Sequence, residues 1–367
     1  MEIKKVISGA GVMMALAMAL VASDGCGNNI RPGGEQDSLS IVDTNSTAFK
    51  LKLVNERLAT SPGNADIWLE RANLFYEMGN LPQAMLDCGK SIELNVTNPD
   101  AYHFRGFLHY TQSQDSAALR DLKRAAQLGS MNPETFYMTG QIFFLQKDYP
   151  MALEGYNNAI SLDSLSPVYF FARGYLYQQQ GKIDAAIAEY RLSLERDPGF
   201  IKVLVALFDI YMYDKKDPDQ AYLFNDRILK VDSMHPVGRY NQGNYFLNRA
   251  NNITSEEGLI DFQVLLKLAV SEYSKSLSKD PKYALAYYNR GYAYYLLEAY
   301  GSAMDDFNKV IELDPMNERA YFMKASIQEF KGDLASALTN YEQSLRLKAD
   351  FKDASKAVKE LKIKLKR

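Results

Sequence analysis

Apolar residues along this chain follow a helical rhythm, and the rhythm itself repeats. From about residue 65 onward, rings and aliphatics recur at i, i+3 and i+4, the spacing of a helix with one buried face. Small residues punctuate the pattern. The alanines Ala84, Ala118, Ala152, Ala186, Ala221, Ala269, Ala303 and Ala337 lie 34, 34, 34, 35, 48, 34 and 34 positions apart. A second register, twelve residues before the first of them, reads Ala72, Gly106, Gly140, Gly174, Phe208, Gly243, Gly291 and Ala325. A ring usually follows three residues after each of these, as at Phe75, Phe143, Tyr177 and Tyr294, and another stands four residues before, as at Trp68, Tyr102, Phe170 and Tyr287.

Such a unit predicts two antiparallel helices. The small residues let them approach, and the rings fill the space between. Gly79, Gly181 and Gly332 fall where a left-handed residue ends the first helix. Asp197-Pro198, Asp280-Pro281 and Asp314-Pro315 end three second helices. One hairpin cannot bury its own faces, so the units must stack. Eight are expected, at 65–98, 99–132, 133–166, 167–200, 201–235, 236–283, 284–317 and 318–351. A capping helix is expected before them (46–64) and another after (352–367), the latter burying Ala354, Val358, Leu361 and Leu365.

The units resemble the tetratricopeptide repeat (TPR). Tyr287-Tyr288-Asn289-Arg290-Gly291, through Ala303 to Asp314-Pro315, is the clearest copy. The resemblance implies an all-α fold, a TPR α-solenoid in which helix hairpins wind into a right-handed superhelix with capping helices at both ends. It also implies that first helices line a concave groove. Three registers then point into the groove: Leu69, His103, Tyr137, Phe171, Val205, Tyr240, Tyr288, Phe322; Asn73, Phe107, Gln141, Tyr175, Asp209, Asn244, Tyr292, Ser326; and Tyr76, Tyr110, Phe144, Gln178, Met212, Leu247, Tyr295, Glu329. Rings beside amides suit an extended peptide or a partner helix, since rings supply contact area and amides pair with peptide backbone. The candidate binding residues are Tyr76, Phe107, Tyr110, Tyr137, Phe171, Tyr175, Tyr240, Asn244, Tyr288, Tyr292 and Tyr295. A carbohydrate-binding groove and a non-catalytic subunit of an envelope enzyme complex are the alternatives. The family's chaperone-tail binders carry a Lys and Asn clamp; here Leu69 and Tyr240 stand where that clamp needs Lys.

Read against each other, the repeats show a covariation. Arg71, Arg105, Arg173 and Arg290 precede the small residue of a first helix, and Asp87, Asp121, Glu189 and Asp306 stand sixteen residues later. Where Thr139 replaces the arginine, Gly155 replaces the acid. This predicts an Arg–carboxylate pair between the two helices of a hairpin.

The chain begins differently. Lys4 and Lys5 precede an apolar run from Val6 to Ala22, then Ser23-Asp24-Gly25-Cys26 and a polar stretch to about Asn45. That is the layout of a secretory signal peptide (1–25). The lone Cys26 after the run resembles a bacterial lipoprotein box, which implies lipidation of Cys26 and a flexible tether over 26–45. The chain is then an exported lipoprotein on the outer membrane facing the periplasm, or else surface-exposed or soluble in the periplasm.

Composition narrows the chemistry. Net charge is −3, so no global field draws nucleic acid or a membrane surface. With two cysteines and three histidines, no zinc spacing arises, and no phosphate loop or nucleophile triad is visible. His109 and Cys88 occupy core ring positions. No cofactor, no metal and no enzymatic activity are expected, and the partner is a protein or peptide.

The sixth unit is 48 residues long against 34 for its neighbours. Residues 251–257 read as a loop and then a helix start that Thr254 or Ser255 can cap, which predicts one second helix of about 24 residues. Leu259, Phe262 and Leu266 form an apolar stripe on the added turns. They either pack on an adjacent unit or dock a partner or a second copy of the chain.

Overall fold

The structure is a computed structural model and describes residues 46–253 and 259–365, with the side chain of Leu259 outside that set. Among the described residues there are eighteen α-helices and no strand. They divide into two compact units, one ending at Pro198 and one starting at Gly199.

The first unit opens with α1 (Thr47–Thr60), whose Val54 and Leu58 pack on Ile67 and Leu74. Four hairpins follow: α2 (Ala65–Glu77) with α3 (Leu81–Leu94), α4 (Pro99–Thr111) with α5 (Asp115–Gln127), α6 (Pro133–Leu145) with α7 (Tyr149–Leu162), and α8 (Pro167–Gln179) with α9 (Ile183–Arg196). Asn98-Pro99-Asp100 shows why a first helix begins where it does. The Asn98 side chain accepts from Asp100 N–H, Pro99 needs no bond at the first position, and Asp100 meets the positive helix end. Asn132-Pro133-Glu134 repeats the device.

The second unit holds α10 (Ile201–Asp209) with α11 (Pro218–Val231), α12 (Pro236–Asn251) with α13 (Leu259–Lys279), α14 (Ala284–Leu296) with α15 (Tyr300–Leu313), α16 (Glu318–Phe330) with α17 (Leu334–Leu347), and the closing α18 (Lys352–Lys364). On α18, Ala354, Val358 and Leu361 are buried, but Leu365 lies past the helix end and is 47% exposed, against expectation.

A size complementarity holds each hairpin together. A β-carbon at Gly174 would meet the Tyr190 ring at 2.8 Å, and one at Gly243 would meet the Tyr273 ring at 2.6 Å, so a large side chain of the second helix fills the space that the small residue leaves. The fifth hairpin reverses the sizes. Phe208 is buried where the others have Gly or Ala, and the fully buried Asn225 takes the ring's place on α11.

Arginine and acid pair as the covariation predicts. Arg71 meets Asp87 at 2.6 and 2.9 Å, Arg105 meets Asp121 at 2.7 and 2.8 Å, and Arg173 meets Glu189 at 2.8 Å. Three of these arginines also reach back sixteen residues to the previous hairpin or cap: Arg71 to Asn55 at 3.0 Å, Arg173 to Asn157 at 2.7 Å and Arg290 to Ser274 at 3.0 Å. For Arg105 the residue at that place is Gly89, which has no side chain to offer. In the third hairpin, lacking the pair, the helices touch backbone to backbone: a β-carbon at Gly155 would lie 2.8 Å from the Gly140 Cα.

Two insertions are absorbed differently. The one extra residue of the fifth unit appears as a π-helical turn, Ile210–Asp214, continuing α10. In the sixth unit both helices lengthen: α12 has 16 residues where α2 and α4 have 13, and α13 has 21 described residues, Leu259–Lys279, where α3 has 14. Helix α12 therefore runs through Asn251, where a loop was expected. Leu247 and Ala250 on its last turns share one buried cluster with Leu266, which stabilises the added turn. The expected cap at Thr254 or Ser255 lies outside the described residues.

Candidate ligand-binding face

In the first unit, rings on one first helix touch the next first helix. Tyr76 on α2 meets Phe107 on α4 edge-on, centroids 5.0 Å apart, and Phe144 on α6 meets Tyr175 on α8 at 5.5 Å. Tyr137 lies 5.3 Å from Tyr169, and its hydroxyl accepts from Gln141 Nε2 at 2.7 Å. Phe171 stacks on Tyr175 at 6.2 Å. Tyr110 packs beside Leu122 and Met138. All six of the sequence-derived rings here are half-buried, so neighbouring hairpins fix them while leaving part of each in solvent. Burial lifts the Tyr110 and Tyr175 hydroxyls and pushes Tyr137 up to about 12, which keeps them neutral donors.

In the second unit, amides and hydroxyls link three helices. The Asn244 side-chain oxygen on α12 accepts from the Tyr273 hydroxyl on α13 at 2.7 Å and from Asn289 Nδ2 on α14 at 2.8 Å. Asn289 Nδ2 also donates to the Tyr240 hydroxyl at 3.2 Å, and the Tyr240 ring lies 4.9 Å from that of Tyr283. Tyr288 packs on Phe307 at 5.7 Å and Tyr295 on Tyr300 at 5.8 Å, both half-buried. Tyr292 departs from the expectation. It is 6% exposed, in one core cluster with Leu247, Phe307, Met323 and Ile327, and offers a partner almost nothing.

Asp209 falls on a groove register but is not among the sequence-derived binding residues. It is half-buried at the last residue of α10, and its carboxyl is pushed up to about 6 by burial, with the Asp214 charge adding; no hydrogen bond or cation among the described residues draws it down. Tyr213, four residues on, is 60% exposed. The signal available was the fifth unit's single extra residue.

The remaining candidates have structural roles. His103 bonds Asn132 through Nε2 at 3.0 Å and Thr135 through Nδ1 at 2.9 Å, and burial lowers its pKa. The amide donor on Nε2 leaves the proton on Nδ1. His109 bonds Gln114 at 2.7 Å. Cys88 is buried, its thiol pushed up to about 12 by that burial and donating to the Ala101 carbonyl. Among the described residues no group of three or more His, Cys, Asp or Glu is placed to hold a metal, and no helix is long and apolar enough to cross a membrane. On α13, Leu266 is wholly buried and so unavailable for docking, while Phe262 packs on the same core but is half-buried; the exposed apolar residues are Ile260, Val264 and Leu268. Cys26, the leader and the tether lie outside the described residues, as does the Leu259 side chain.

Comparison with known proteins agrees with this architecture. Models described as tetratricopeptide repeat match residues 284–317, 168–200 and 318–351, and one described as TPR repeat matches 140–181. The chain carries tetratricopeptide repeats. It is similar to serine/threonine-protein phosphatase 5 of Rattus norvegicus, 35% identical over 86 residues, 23% of this chain and 17% of that protein. It is similar to Hsp70-Hsp90 organizing protein 3 of Arabidopsis thaliana, 35% identical over 78 residues, 21% of this chain and 14% of that protein. The matches thus span under a fifth of these relatives' length. Among solved structures, the APC/C hetero-tetramer Cut9-Hcn1 superposes with TM-score 0.52 at 15% identity, covering 87% of this chain and 60% of that one, a likeness of fold alone.

Proposed function

We propose that this chain is a non-catalytic adaptor that binds a protein or peptide partner on the faces formed by its first helices, and that it does so in the bacterial envelope, anchored by a lipid on Cys26. The observation that carries the binding reading is the set of half-buried rings and amides on successive first helices, held in place by their neighbours. Such side chains lose little freedom on binding and give contact area with backbone-pairing groups. A relative named as an organizing protein for Hsp70 and Hsp90 supports a scaffold role. The anchor rests on the apolar run from Val6 to Ala22 followed by Cys26.

Affinity capture from envelope extract with the full chain tests the binding reading. A partner bound by the natural chain should be lost when Tyr175 and Asn244 are changed to Ala with the fold intact; retention of that partner contradicts it. Fractionation of cells carrying Cys26→Ala tests the anchor, which predicts release from the membrane pellet.

A further inference from the structure

Arg71, Arg173 and Arg290 each donate from Nη1 to a side-chain oxygen sixteen residues back, on Asn55, Asn157 and Ser274. Arg105 binds its acid in the same way, through Nε and Nη2 to Asp121. Its Nη1 has no such oxygen among the described residues, because Gly89 stands in that place. The Arg105 side chain is left 28% exposed, against 18%, 18% and 19% for the other three. Nothing in the fold requires this glycine. It lies inside α3, where glycine weakens a helix. Its φ is not in the left-handed region, and a β-carbon on it would meet no atom within 4 Å. At Gly174 and Gly243 a neighbouring ring excludes a side chain; at Gly89 there is open space.

That space is a cavity of about 350 Å³, at the small end of small-molecule sites, lined by Met85 and Gly89 of α3, Arg105 and His109 of α4, and Arg120 and Asp121 of α5. Ala117 also lines it, at the place where Gln83 of the first hairpin bonds Asp87 at 2.9 Å. Arg105 and Asp121 offset each other in charge. Arg120 is exposed and has no ion pair or hydrogen bond among the described residues, so it is the unbalanced charge of the lining. Lys90, next to Gly89, is already paired with Glu93 at 3.0 Å. His109 turns Nδ1 to Gln114 and holds Nε2 3.8 Å from Asp121.

We infer that Arg105 Nη1 and Arg120 form a receptor for the carboxylate of a small organic acid. The neighbouring hairpins show what fits. Beside Arg71 and Arg173 this place is filled by a side-chain carboxamide, and a carboxylate has the same planar shape with a negative charge added. That charge answers Arg120. A doubly charged phosphate suits the site less, since the Asp121 carboxylate lines it too. Met85 and Ala117 give contact to a short carbon chain, and the volume holds a whole small acid. None of these residues belongs to a groove register, so the site is separate from the groove and does not rest on the groove-binding reading.

The test is a titration of the full chain with butyrate at constant ionic strength, read by NMR at the Met85 methyl group after carbon-13 labelling of methionine. Butyrate should shift that signal saturably. Butyramide, the same shape without the charge, should bind on the order of tenfold more weakly, and Arg120→Gln should weaken butyrate by a similar factor. Arg120 is exposed, so the Gln variant keeps the fold. Gly89→Asn supplies the oxygen that Asn55 and Asn157 supply to the neighbouring arginines, and should both abolish the shift and raise the melting temperature. A capped peptide with one glutamate should bind less tightly than butyrate. A shift that does not saturate, equal binding of butyramide, or butyrate binding that survives Gly89→Asn overturns the site. A lower melting temperature for Gly89→Asn shows that the glycine serves the fold, and overturns it as well. Tighter binding of the peptide assigns the place to a polypeptide side chain and overturns the free acid.

Discussion

The guanidinium of Arg290 holds both carboxylate oxygens of Asp306, at 2.8 and 2.7 Å, across the two helices of one hairpin. Both side chains are largely buried, and burial raises the Asp306 carboxyl even with Arg290 bonded to it. The pair therefore fixes how the helices register more than it adds net stability. Removing one partner is another matter, since it strands the other. Asp306→Ala should destabilise the chain by about 2–4 kcal/mol in urea titration. A loss under about 0.5 kcal/mol would mean that water reaches Arg290 freely.

The third hairpin makes the complementary prediction. Gly155 lies against the Gly140 backbone, and backbone cannot move aside as a side-chain tip can. Alanine normally favours a helix over glycine by about 1 kcal/mol. Here overpacking should win, so Gly155→Ala should lower stability by about 1–3 kcal/mol. An unchanged or raised midpoint would show that the helices are not in contact there.

Asp209 gives a pH dependence with a definite sign. Its folded carboxyl is raised to about 6 from an ordinary 3.8, mainly by burial. The native state thus keeps a proton that the unfolded state has lost between those values, and stability falls as pH rises through that window. Asp214 on the same stretch adds to the rise, while Tyr213 and Tyr283 remain neutral throughout. Asp209→Asn should accordingly melt higher than the natural chain at pH 7.5, by about 1–3 kcal/mol, and the gain should vanish near pH 4. A destabilised Asn variant at pH 7.5 would show that the carboxylate has a partner.

The long α13 separates two apolar stripes. Leu266 is wholly buried and Ile260 is 77% exposed. Leu266→Ala should cost about 2–5 kcal/mol, and Ile260→Ala should stay within about 0.5 kcal/mol. Equal effects would mean that the helix is rotated from this placement.

The parts legible in the sequence were those that repeat. Eight copies in phase located the hairpins, and comparison between copies exposed the Arg–acid pairs, because a chance acid would not vanish together with its arginine at Thr139 and Gly155. What could not be read arises where a unit departs from its neighbours. The π turn answers a one-residue insertion that periodicity registers only as a slip. Tyr292 shares its register with the half-buried Tyr175, but Leu247 on the lengthened α12 and Met323 on the next hairpin enclose it. In the sixth unit the turn residues 251–253 look like a loop by composition. Tertiary packing of Leu247 and Ala250 overrides that preference and carries the helix on through Asn251.

The central claim is that partners dock on first helices, and site-specific photo-crosslinking in cells tests it most directly. Benzoylphenylalanine replaces Phe171 or Tyr288 on first helices, and Leu86 or Leu223, exposed on second helices, as controls. On irradiation the first-helix positions should capture one and the same partner polypeptide, and the second-helix positions should capture none. Capture of that partner from Leu86 or Leu223, with none from Phe171 or Tyr288, would contradict the account.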